Sequence, residues 1–335
     1  MKSKNISVLG GGSWGTVLAN LAASNQHSVT LWMRDSSVID EVNRNRRNSK
    51  YLPQLELEEG IKATDDISTI ENSELIIFCI PSDSFREVSE IASKHIGKAT
   101  QLVTATKGVE KEKFNLMSQV LNEYMVDNPL GILSGPNLAK EIAEKQLSGT
   151  VIASKDVYLK KNVMEILGTD FFRVYENDDP YGVEMGGAIK NIYAIACGIA
   201  DGLNSGENTV GMIMTRGLGE MSRLAVELGA NPQTFLGLSG VGDLITTCAS
   251  PLSRNHKFGK YIGEGLSVES ATHEIGQTVE GLKTLKVVKV LADERNINMP
   301  IVDSLYKIIY KGKDLNGSIH NILGEDQIKD VEFSK

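Results

Sequence analysis

The sequence predicts an α/β amino-terminal half built on a parallel sheet, followed by an all-helical carboxy-terminal half. Three observations predict it. Short β-rich runs alternate with helical patterns as far as Phe171–Tyr175, the signature of a sheet covered by helices. The pattern changes at Asp179-Pro180, an acid and a proline that signal a helix start. Almost everything beyond has helical period. At 335 residues the chain is long for one hydrophobic core. The boundary is therefore placed near 178–183, giving domains 1–180 and 181–335.

The first strand is Ile6-Ser7-Val8-Leu9, and Gly10-Gly11-Gly12-Ser13-Trp14-Gly15 follows it directly and opens a helical run, Thr16–Ser24. G-x-G-x-x-G in that context is a dinucleotide cradle. Gly10 permits the tight turn, Gly12 lets a pyrophosphate approach the backbone, and Gly15 lets helix and strand pack. Free N–H groups at the helix start hold the anion. The fold class is thus a Rossmann-type parallel-sheet domain plus an all-α domain. The same letters spell G-x-S-x-G, the elbow of serine hydrolases. That reading fails, because a hydrolase draws its oxyanion donor from the loop after an earlier strand, and here no strand precedes.

The second strand, Val29–Met33, ends at Arg34-Asp35. An acid there would bond the ribose of NAD, and an arginine would favour the extra phosphate of NADP. With both present, either cofactor is tolerated and Arg34 tilts the choice toward NADP. The basic stretch Asn43–Lys50 reads as a solvated helix end and loop. Further strands are Leu75–Ile80, Leu102–Ala105 and Gly131–Leu133, and the runs Thr150–Ala153 and Phe171–Tyr175 extend the sheet. Two strand ends carry polar loops. Thr106-Lys107-Gly108 places a cation where such sheets bind ligands. In Ser134-Gly135-Pro136-Asn137, Gly135 exposes backbone and Asn137 caps the next helix.

In the second half, PYGVEMGGAIKNIYAIACGIADG (180–202) reads as a buried helix, yet it holds Gly186, Gly187 and Lys190. Each glycine costs roughly 1 kcal/mol relative to alanine. Residues three and four apart share a helix face, so Gly186, Gly187 and Ala194 would leave a hollow beside Lys190. The competing reading is close helix packing with a lysine that snorkels to water. Beside a dinucleotide site, a lysine shifted down from its ordinary value of roughly 10.4 can carry the proton that accompanies hydride transfer. Asn191 and Asp243, the latter in Gly240-Val241-Gly242-Asp243, would orient it or the substrate. Ser253-Arg254-Asn255 opens another helix and offers a hydroxyl, a guanidinium and an amide to a phosphate. The plain alternative there is an N-cap beside a surface arginine.

Composition narrows the classes. A net charge of −8 argues against non-specific nucleic-acid binding. Cys79, Cys197 and Cys248 lie far apart with no histidine grouping, so neither a disulfide framework nor a metal site is expected, and the compartment is reducing. No signal-peptide core or membrane span is visible. The expectation is a cytoplasmic protein.

GGGSWG, ATKG at 105–108, SGPN at 134–137, EMGGAIKN at 184–191, SGVGDL at 239–244, SRN at 253–255 and GQTVEG at 276–281 together resemble the NAD(P)-dependent glycerol-3-phosphate dehydrogenases of bacteria, over nearly the whole chain. The resemblance implies interconversion of dihydroxyacetone phosphate and sn-glycerol 3-phosphate with NADH or NADPH, for phospholipid synthesis. It implies Lys190 as proton acceptor in oxidation, and Lys107, Gly135, Asn137, Asp243, Ser253, Arg254 and Asn255 as substrate residues. It implies cofactor contacts from Ser13, Trp14, Arg34, Ala139, Thr278 and Glu280, with Lys107 and Arg254 shared. Position 137 is often serine or threonine in that family, so Asn137 departs from it. No metal or nucleic acid is implied, and a homodimer is compatible. The nearest rival is a β-hydroxyacid dehydrogenase, which would not require the Ser253–Asn255 clamp. A dinucleotide sensor without catalysis would have no use for the surroundings of Lys190.

Overall fold

The protein is described by a computed structural model covering residues 2–110 and 114–315. Its chain divides into two compact units, Met1–Thr106 with Asn115–Pro180, and Lys107–Phe114 with Tyr181–Lys335. A short segment early in the sequence thus belongs with the later half.

In the first unit the order is β1 (Asn5–Leu9), α1 (Ser13–Ser24), β2 (Ser28–Trp32), α2 (Ser36–Asn45), β3 (Arg47–Asn48), β4 (Leu52–Glu56), β5 (Ile61–Thr64) and β6 (Leu75–Phe78). Then come α3 (Ser82–Ser93), β7 (Gln101–Thr104), α4 (Met117–Tyr124), β8 (Leu130–Ser134), α5 (Ala139–Ala143), β9 (Ser148–Ala153), α6 (Val157–Leu167) and β10 (Phe172–Asn177). The main sheet runs β10-β9-β8-β7-β6-β1-β2-β5. Val8 of β1 lies between Leu31 of β2 and Ile77 of β6, all parallel. Period-two alternation sorts the side chains to two cores. Ile6, Val8, Leu75 and Ile77 pack toward α1 and α6. Leu9, Ile76 and Phe78 pack toward α3 and α4. With both faces covered, the central strands need no polar alternation.

Three features differ from the sequence reading. β9 pairs with β8 antiparallel, so the sheet is not parallel throughout. The cause lies in α5, whose five residues span only about 7.5 Å and cannot carry the chain back along a strand. Next, Arg47–Asn48 within the basic stretch pairs with β4 as a small hairpin rather than a loop. Finally, Asn137 does not cap α5. The capping position is Leu138, with no side-chain bond.

The second unit contains α7 (Pro180–Gly202), α8 (Glu207–Glu227), α9 (Asp243–Ala249), α10 (Arg254–Gly263), α11 (Val268–Ile275), α12 (Glu280–Arg295) and α13 (Pro300–Lys311). No strand occurs among its described residues. α7 is the central element, buried from Gly182 to Ala200. It crosses α10 backbone to backbone. A Cβ on Gly198 would meet the His256 carbonyl oxygen at 2.0 Å, and one on Gly259 the Ile195 oxygen at 2.1 Å. Among the described residues no helix is long and apolar enough to cross a membrane.

Candidate active site

In the first unit the glycine-rich turn has the geometry of an anion cradle. Gly10 has φ +119°, and a Cβ there would strike the Cys79 carbonyl oxygen at 2.3 Å. A Cβ on Gly15 would lie 1.9 Å from the Gly10 oxygen, whereas the Cβ position of Gly12 faces open space with nothing within 4 Å. Turn, packing and access are thus divided among the three glycines. Gly12 caps α1 without any side-chain bond, so the first N–H groups of the helix, beginning at Ser13 and Trp14, have no side-chain acceptor. These features fit a dinucleotide pyrophosphate. Asn48, which the sequence reading passed over, is buried and donates from Nδ2 to the Gly11 carbonyl at 3.0 Å and Thr16 Oγ1 at 2.8 Å. It holds the turn from below. Ser13 Oγ donates to the Tyr51 carbonyl at 3.4 Å, and the Trp14 ring sits edge-on to Phe172.

Beyond β2, Arg34 is exposed. Asp35 already has partners. Its carboxylate caps α2 through the Ser37 and Val38 N–H groups and accepts from Lys50 Nζ at 2.7 Å. The Lys50 and Ser37 bonds hold its pKa well below the usual carboxylate value. At the β8 end, Gly135 has φ +146°. The Asn137 amide is tied to β9, donating to the Gly149 carbonyl at 3.2 Å and accepting from Thr150 Oγ1 at 2.9 Å. Ala139 is the first residue of α5 and is half-buried.

In the second unit, Lys190 is 4% exposed and Asp243 1%. Lys190 Nζ donates to Asp243 Oδ1 and to Thr247 Oγ1. Lys107 Nζ donates to the other carboxylate oxygen, Oδ2, at 2.7 Å. Asp243 opens α9 and Thr247 stands four residues on, so one helix face presents both to the amine. Two cations share one buried anion, a net positive site that suits an oxyanion. Burial pushes the Lys190 amine down to about 7 with help from the charge of Lys107, while Asp243 pulls it up. At neutral pH the group holds or releases a proton with little cost. Thr247 was not singled out from sequence; its signal was the four-residue spacing from Asp243.

The anticipated hollow is absent at Gly186. A Cβ there would lie 2.5 Å from the Ser239 carbonyl oxygen, so this glycine serves close approach of the segment that leads into α9. The neighbouring Asn191 accepts at Oδ1 from Asn255 Nδ2, and Asn255 Oδ1 accepts from the Gly281 N–H, each at 3.0 Å. Asn255 therefore ties α7 and α10 to the first turn of α12. Ser253 caps α10 by accepting from the His256 N–H. Arg254 is exposed and donates to the Thr278 carbonyl at 3.1 Å, close to Glu280 at the start of α12. Lys107, Lys190, Asp243 and Thr247 thus form one cluster, linked through Asn191 to a second made of Asn255, Arg254 and Thr278. Among the described residues no group of three or more His, Cys, Asp or Glu stands ready to hold a metal ion.

Profiles described as the NAD-dependent glycerol-3-phosphate dehydrogenase N-terminus and C-terminus match residues 5–160 and 179–320. A glycerol-3-phosphate dehydrogenase (NAD(P)+) of Alcanivorax borkumensis is 47% identical over 330 residues, covering 98% of this chain and 96% of that protein. One of the same name from Saccharophagus degradans is 45% identical over 335 residues, covering 99% and 94%. Among solved structures, glycerol-3-phosphate dehydrogenase of Coxiella burnetii aligns with a TM-score of 0.92 at 37% identity, covering 96% of this chain and 99% of that one.

Proposed function

The chain belongs to the NAD-dependent glycerol-3-phosphate dehydrogenase family, and from that premise we propose that it interconverts dihydroxyacetone phosphate and sn-glycerol 3-phosphate, using NADH or NADPH. The observation that carries the reading is the buried Lys190 amine, poised near neutrality between Asp243, Thr247 and a second cation.

Residues 1–180 bind the dinucleotide through Gly10, Gly12 and Gly15, the first turn of α1 at Ser13 and Trp14, and Arg34. When bound, the reduced nicotinamide supplies the hydride. The second unit, Lys107–Phe114 with residues 181–335, carries the proton chemistry. In ketone reduction the Lys190 ammonium gives its proton to the nascent C2 alkoxide, and in alcohol oxidation the amine takes it back. Asp243 holds the amine in place. Lys107 adds positive charge that both favours an oxyanion and eases proton release. The N-terminus of α10, with Ser253, Arg254 and Asn255, receives the phosphate group. Gly135 and Asn137 supply further substrate contacts, and Ala139, Thr278 and Glu280 further cofactor contacts. The bonds already made by Asn137 and Asn255 mean that substrate would exchange with protein partners there. Residues of the proton-transfer cluster all come from one chain, so the chemistry is compatible with either a monomer or a homodimer. The setting is cytoplasmic, and glycerol 3-phosphate feeds phospholipid synthesis.

The test is loss of reduced-nicotinamide absorbance when dihydroxyacetone phosphate is added to purified protein. Lys190→Ala should lower kcat by about 10²- to 10⁴-fold. Arg254→Ala should leave kcat nearly intact and raise the KM for the phosphate substrate by roughly 10- to 100-fold, as expected for loss of a charged hydrogen bond. Normal turnover by the Lys190 variant would end the catalytic assignment.

A further inference from the structure

Glu220, in the middle of α8, is an acid that the chemistry above does not use, yet it is 1% exposed. Its Oε1 accepts from the Ile301 N–H at 2.6 Å, and its Oε2 accepts from the Val302 N–H at 3.3 Å and from the Tyr193 hydroxyl at 3.2 Å. These N–H groups belong to the first turn of α13. There Pro300 has no N–H to offer, and the capping position, Met299, has no side-chain bond. The orphan donors of one helix are thus met by a carboxyl from another. Arg223, one turn along α8, donates from Nε to the Asn298 carbonyl at 3.2 Å and pins the same segment.

Tyr193 connects this junction to the reaction. It is completely buried and stands three residues after Lys190 on α7, close to the same face. Its ring packs against α8 at Gly217, where a Cβ would come within 2.5 Å of ring carbon Cδ1. The ring fixes the distance between the two helices, and the hydroxyl fixes the rotation of α7 about its axis. We propose that Glu220, acting through Tyr193, is a positioning residue: it sets the rotation of α7 and thereby the place where Lys190 presents its amine to Asp243 and Thr247. This rests on the reading of Lys190 as the proton carrier.

Burial holds the Glu220 carboxyl up to about 7, against the pull of the two N–H groups and the Arg223 guanidinium. The charged and titratable groups acting on it are Arg223 from its own helix and Tyr193 from α7. A cap for α13 alone would not need the tyrosine, and that separates the two roles.

The experiment uses the full-length protein with Tyr193→Phe, Glu220→Gln and Gly217→Ala, alongside Lys190→Ala. Each is measured for kcat, both KM values, the pH midpoint of kcat, and thermal unfolding. Tyr193→Phe leaves both bonds to α13 in place. It should nonetheless lower kcat roughly ten- to a hundredfold, the scale of a misplaced catalytic group, move the pH midpoint and leave the KM for NADPH unchanged. Glu220→Gln combined with Tyr193→Phe should be no worse than the poorer single variant, since the two act in series. If Glu220→Gln does not fold, Tyr193→Phe and Gly217→Ala still decide. A folded Tyr193→Phe protein with wild-type kcat and pH midpoint overturns the positioning role. If Lys190→Ala itself keeps turnover, the proton-carrier reading falls first, and the brace falls with it for want of anything to position.

Discussion

The two units build their candidate sites from different materials. The candidate cradle of the first is made of backbone: three glycines and the opening turn of one helix, close together in sequence, with a supporting amide from the distant Asn48. The candidate cluster of the second is made of side chains from separate elements, with Lys107, Lys190 and Thr247 meeting on the Asp243 carboxylate. A backbone site tolerates change in most side chains but not the addition of a Cβ. A side-chain site has the opposite sensitivity, since every member is a charge or a hydrogen bond in a buried place.

The largest effect expected from breaking this contrast is at Asp243. Asp243→Asn removes the charge that raises the Lys190 pKa and leaves burial and Lys107, which lower it. With Lys190 as the proposed proton donor, reduction of the ketone needs its ammonium, so the rate should fall as pH rises through the lysine's pKa. In the variant that fall should move below about 7, and kcat at neutral pH should drop about a hundredfold or more, as for loss of a buried charge partner. A pH–rate profile reads both. Nucleotide affinity should remain. The converse test is Gly15→Ala, which forces a carbon into the Gly10 carbonyl. Nucleotide affinity measured by titration should fall by about 100-fold, equivalent to roughly 3 kcal/mol of overpacking, while the Lys190 pKa stays where it was. The smallest effect is at the rim. Arg34→Ala should lower kcat/KM for NADPH about tenfold and leave NADH nearly unchanged, because one exposed charged contact contributes on the order of 1 kcal/mol.

The contrast also explains what was legible in the sequence. The cradle is contiguous, so Gly10, Gly12 and Gly15 could be given separate duties from spacing alone, and the space around each matches those duties. Alternation of strands and helices revealed the sheet, but not the reversal of β9, which depends on how far the five-residue α5 reaches. Lys190 stood out as a cation in a buried helix. Its surroundings were misjudged at Gly186, because a glycine looks the same in sequence whether it makes room for a ligand or for another backbone. Asp35 offered a similar ambiguity. An acid at the end of β2 reads as a ribose ligand, and the fold shows that it also caps α2 and pairs with Lys50. Thr247 and Glu220 were hidden for a different reason: each matters only through residues far away in the chain.

The glycine crossing of α7 and α10 has one more consequence. Where Gly198 meets His256 and Gly259 meets Ile195, no side chain lies between the helices and no rotamer change can alter their spacing. The span from the Lys190 amine on one helix to the Arg254 guanidinium at the head of the other is therefore gauged by peptide-to-peptide contact, as stiff a ruler as a folded chain provides.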